Sequence, residues 1–108
     1  MTIVVSGHQV DIDADLRREM VNDILKMSGK FETRMTSCHV TFERGPHDLG
    51  HTCEMLGHFP GNKDIVASGA DASEDISLAY RKALRKFESQ VLRQKKSVPH
   101  LRLVDSNF

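Results

Sequence analysis

Apolar residues fall at Leu16, Met20, Ile24, Met27 and Phe31, in steps of four, four, three and four. That spacing draws one stripe along a helix. Asp13 stands where an N-cap is needed, Asp15 lies in a first turn where the helix dipole favours an acid, and Ser28-Gly29 marks the far end. The pattern predicts a helix over 14–30. Ahead of it the β-branched run TIVVSG, Thr2 to Gly7, reads as a strand. From Thr36 the period changes to two, with Cys38, Val40 and Phe42 alternating against His39, Thr41 and Glu43. GPHDLG is a turn or loop, after which Cys53, Met55, Gly57 and Phe59 alternate with Glu54, Leu56 and His58. FPGNKD supplies the next turn and DIVASGA, Asp64 to Ala70, the last strand. Asp71 and Glu74 fit a capping box that opens a second helix. Its stripe is Ile76, Tyr80, Ala83, Leu84, Phe87 and Val91, and it is expected to run to Lys95.

The order is β-α-β-β-β-α. Two helices with one apolar stripe each, beside strands with one apolar face each, make a two-layer α/β (α+β) sandwich around a four-stranded mixed sheet. The connection through the first helix leaves the first strand parallel to the second. If the apolar faces of the second and third strands both turn inward, Phe42 lies opposite Cys53 and Cys38 opposite Gly57. No repeat or linker divides the 108 residues. They read as a single domain over 1–96 with a C-terminal tail over 97–108.

An apolar content of 39% at regular spacing argues for a folded chain rather than a disordered one. No apolar run is long enough to span a bilayer, and the start lacks the basic and apolar regions of a secretory signal. The two cysteines form no disulfide framework; four ladder positions apart, roughly 12 Å or more, they are too distant to bridge and read as small core residues. A cytoplasmic protein with free thiols and no membrane contact is the expectation. Of the six histidines, His39 and His58 fall on the outer sheet face and His47 and His51 flank the loop. No CxxC, HExxH or helical HxxxH spacing is present, and Asp11, Asp13 and Asp15 are better explained by capping than by magnesium. SGHQ lacks the context of a dinucleotide loop. We therefore expect no metal, no cofactor, no small-molecule substrate and no catalysis.

Charge changes the picture. The chain carries 15 basic and 15 acidic residues, for a formal net charge of zero. Yet between Arg81 and Lys96 seven basic residues face one acid, Glu88. On a helix, Lys82, Arg85, Lys86, Arg93 and Lys96 share the face opposite the apolar stripe, over about 21 Å. Two readings fit. One is a solvated helix surface whose late cations suit the dipole. The other is a docking face for phosphates, held by counterion release to the backbone of a structured RNA. The like-charge neighbours Lys82–Lys86 and Arg81–Arg85 are mildly unfavourable by themselves, which favours a function.

The chain resembles the ribosome hibernation-promoting and ribosome-associated inhibitor proteins of bacteria, a family also described as sigma-54 modulation proteins. The resemblance covers residues 2 to 96. It rests on IVVSGHQVDIDADLR, with Ile3, Val5, Gly7, Val10, Ile12, Leu16 and Arg17; on Lys26 and Phe31; and on ASEDISLAYRKALRKFESQVLRQKK, with Glu74, Asp75, Ala79, Lys86, Gln90, Arg93 and Lys95. It implies a fold like that of double-stranded RNA-binding domains, with both helices on one side of the sheet. It also implies binding to ribosomal RNA of the small ribosomal subunit near the decoding region, with inhibition of translation or stabilisation of idle ribosomes under stress. Carried over, Lys86, Arg93 and Lys95 become RNA contacts, joined by Arg17 and Lys26 from the first helix; Lys82, Arg85 and Lys96 rest on the helical face alone. Asn22 and Asp23 stand where members commonly carry lysines, Ser77 where a Tyr is common and Arg81 where an acid is common. The chain lacks the long extension through which some members pair ribosomes, so ribosome dimerisation would require a helper factor. The rival reading is a small protein-interaction module or homodimer that sets the basic helix against an acidic surface.

Overall fold

The computed structural model describes residues 1–31 and 33–100, with the backbone alone at Asp48 and at 95–100. Strand β1 (Thr2–His8) is followed by helix α1 (Ala14–Lys30), β2 (Ser37–Arg44), a 3₁₀ turn (Pro46–Asp48), β3 (His51–His58), β4 (Ile65–Asp71) and α2 (Ile76–His100). The sheet order is β1-β2-β3-β4, with β1 parallel to β2 and the other pairs antiparallel. This is the β-α-β-β-β-α sandwich that the apolar pattern predicts. Register follows from burial. Cys38 pairs with Gly57 and Phe42 with Cys53, so the whole inward set of β2 meets that of β3.

The inward face contributes Val40, Phe42, Cys53 and Met55 to one core with Met20, Ile24 and Met27 of α1 and Ala79, Ala83, Phe87 and Val91 of α2. The opposite face carries the exposed His39, Glu54, Val66 and Ser68. Helix α1 begins as its sequence indicates: the Asp13 carboxylate accepts from the Asp15 amide at 2.7 Å. Helix α2 lies close to β4 because small residues meet there. A Cβ on Gly69 would stand 2.6 Å from the Ala83 amide nitrogen and 2.7 Å from the Ala79 carbonyl oxygen. A side chain at that position would push the helix off the strand.

Several boundaries differ from the sequence reading. Strand β4 extends through Asp71, which pairs with His51, so the capping box on Asp71 and Glu74 does not form. Asp75 takes the role instead, its carboxylate accepting from the Ser77 amide at 3.0 Å and the Ser77 hydroxyl at 2.7 Å. Strand β3 starts at His51, directly after the loop, and stops before Phe59. Helix α2 continues to His100, past Lys95 and into the segment read as tail. Of that tail, 101–108 lies outside the described residues.

Candidate nucleic-acid interface

Side chains of α2 fall on four ridges, each rising by steps of four residues. Ala79, Ala83, Phe87 and Val91 form the core ridge and are all buried. Tyr80, Leu84 and Glu88 form the ridge toward α1, where they line a groove of about 360 Å³ together with Glu19, Asp23 and Lys26. Across it the Tyr80 hydroxyl donates to Asp23 Oδ2 at 2.8 Å. Burial first, and then this contact with Asp23, push the Tyr80 phenol well above its ordinary range.

The ridge of Lys82, Lys86, Gln90 and Gln94 follows the outer edge of β4. Lys82 Nζ donates to the Ala70 carbonyl at 3.2 Å and pairs with Asp71 Oδ2 at 2.8 Å. Gln90 Nε2 donates to the Val66 carbonyl and Gln94 Nε2 to the Lys63 carbonyl, both at 3.1 Å. The fourth ridge, Arg81, Arg85, Ser89 and Arg93, stands opposite the core ridge and is exposed throughout. Arg81, Arg85 and Arg93, with Lys86 beside them, form no ion pair with a described residue.

The basic face expected from the helical wheel is thus divided. Arg85, Lys86 and Arg93 come together on solvent. Lys82 is drawn back onto the strand edge. Arg81, absent from the sequence-derived set, joins the solvent ridge; its four-residue spacing from Arg85 is the signal that could have found it. Arg17 of α1 is also held, its guanidinium donating to the Val5 carbonyl at 2.6 Å. Lys26 lies in the α1–α2 groove beside Glu19 and Asp23, a groove that Arg81 of the ridge also lines. The side chains of Lys95 and Lys96 lie outside the described residues.

A second polar cluster holds the corner between β4 and α2. His51 is 5% exposed. Its Nδ1 lies 3.3 Å from the Ser73 carbonyl and its Nε2 lies 3.1 Å from an Arg44 nitrogen. A carbonyl only accepts and a guanidinium only donates, so Nδ1 carries the proton and Nε2 accepts. Arg44 also pairs with Glu74 at 3.0 Å, which holds the Glu74 carboxyl below its usual range. The cluster is structural, with every named group turned toward another part of the chain.

Burial pushes the Cys38 thiol up to about 11 and Cys53 to about 12, so neither is a thiolate nucleophile near neutrality. No group of three or more His, Cys, Asp or Glu among the described residues could hold a metal ion. No described helix is long and apolar enough to cross a membrane.

A two-layer sandwich with this strand order defines a small α/β protein whose second helix carries an exposed arginine ridge. The profile of the sigma 54 modulation protein / S30EA ribosomal protein family matches residues 3–98, and the chain belongs to that family. Among solved structures it is similar to a ribosomal subunit interface protein from Coxiella burnetii, at 21% identity and a TM-score of 0.64 over 89% of this chain and 99% of the other. It is also similar to the N-terminal domain of Thermus thermophilus Protein Y, at 19% identity and a TM-score of 0.69 over 86% and 98%. Both likenesses establish the fold. No curated protein matches the chain.

Proposed function

We propose that this protein binds the small ribosomal subunit near the decoding region through ribosomal RNA phosphates, and that it inhibits translation or stabilises idle ribosomes under stress. The observation that carries the reading is the solvent ridge of α2. Arg81, Arg85 and Arg93, with Lys86 at its flank, rise over about 18 Å of helix without a counter-charge in an ion pair. Guanidinium groups suit phosphates because their planar fork donates to two oxygens at once. Family membership supports the ribosomal partner.

The test replaces Arg85, Lys86 and Arg93 by Gln and compares that variant with one changed at Arg18, Arg34 and Lys63. Purified proteins are sedimented with vacant small subunits across a salt series. The ridge variant should lose at least roughly tenfold in affinity, and its slope of log K against log salt should flatten by up to about three, one per lost phosphate contact. The comparison variant should lose little. Equal losses would deny the ridge a special role. Failure of the wild-type protein to co-sediment even at low salt would overturn the ribosomal reading in favour of a protein partner.

A further inference from the structure

Neither edge strand carries charge along most of its length. TIVVSGH of β1 contains no Asp, Glu, Lys or Arg, and IVASGAD of β4 has only Asp71 at its end. Interior strands β2 and β3 carry Glu43, Arg44 and Glu54. Sheets usually place charges or Pro at their edges, since an open edge templates pairing with another chain. Here neither edge has a Pro, and six uncharged residues on the β4 edge are the kind of segment that pairs with copies of itself.

What covers the β4 edge is α2. Alternate strand residues turn their backbone groups to the same side. The Ala70 and Val66 carbonyls accept from Lys82 and Gln90, so Ser68 between them faces the same way. Two strand residues advance about 6.6 Å and four helical residues about 6 Å. The near match lets Lys82 and Gln90 reach the outward carbonyls of Ala70 and Val66, while Gln94 reaches Lys63 just ahead of the strand. At the other edge Arg17 of α1 does the same for Val5.

We propose that the Lys82–Gln90–Gln94 ridge of α2 is a strap that prevents a second copy of this chain from adding to β4 as an antiparallel strand. A second copy fits the uncovered edge well. Pairing about Ser68 would set Val66 against Ala70 and place no like charges opposite one another. This inference is independent of ribosome binding, and neither glutamine belongs to the arginine ridge.

The experiment replaces Gln90 and Gln94 by Ala, which removes the donors, favours helix and adds no apolar patch. Sedimentation equilibrium and amide hydrogen exchange are compared with the wild-type protein. The variant should self-associate about tenfold more tightly, and the outward amides of Val66, Ser68 and Ala70 should gain protection. Adding Val66→Lys, a charge on the opened edge, should reverse both effects. If the double variant does not fold, Gln90→Ala alone is read in the same way. A folded variant with unchanged sedimentation and exchange overturns the proposal, and so does association that Val66→Lys fails to reverse.

Discussion

Asp71 closes β4 and serves three neighbours. It pairs in register with His51, accepts from the Ser73 amide at 2.9 Å and holds the Lys82 ammonium. The hydrogen bond from Lys82, and then that from Ser73, keep its carboxyl below the ordinary value of 3.8. A carboxylate whose folded pKa is depressed adds stability that is complete above its unfolded value and lost as pH falls through the folded one. Asp71→Asn should therefore be less stable than wild type near neutrality. The difference in urea midpoint should begin to narrow as pH falls through the ordinary carboxylate range and close below it. A difference independent of pH would show that the ion pair contributes nothing. His51 teaches a related lesson about what a sequence discloses. The inward set Cys53, Met55 and Gly57, continued back by one period of two, arrives at His51, so its burial was legible. Its partners Arg44 and Ser73 were not, because they come from β2 and from the loop after β4.

Among the elements, α2 shows most sharply where local pattern ends. The 3.6-residue period separates the apolar stripe from the polar side, and the buried ridge agrees with it. The division of the polar side depends on what stands beside it. A lysine that meets a free carbonyl and a lysine that meets water look identical in one dimension. Only the approach of α2 to β4 tells Lys82 from Arg85, and that approach depends on Gly69 facing Ala79 and Ala83. Gly69→Val should force helix and strand apart and cost about 1–3 kcal/mol in urea unfolding, since the atoms it meets are two of the helix backbone and the Cβ of Lys82, none of which can rotate away. Unchanged stability would mean that the layers adjust freely. The strands were easier to read, because the burial of one sheet face makes a one-residue slip expensive at every position at once.

At the scale of the molecule, the neutral total conceals a separation: seven of the basic residues lie between Arg81 and Lys96, while most acids lie before residue 80. Such a body orients in the field of a polyanion before it touches it. The sheet face away from the helices plays little part in stability. Val66 there is 49% exposed, and Val66→Lys should shift the unfolding free energy by no more than about 0.5 kcal/mol. A larger loss would reveal packing on that face. The four ridges of α2 also constrain how this domain can change over generations. Substitution can raise or lower the charge of the arginine ridge one residue at a time, since its side chains form no ion pair with a described residue. A one-residue deletion between Lys86 and Gln90 is another matter, because it turns everything downstream by about 100°. Val91 would then meet the β4 carbonyls, Leu92 the core and Arg93 the groove beside α1. Affinity is therefore free to drift by point mutation, whereas the length of the helix between its start and Gln94 is frozen.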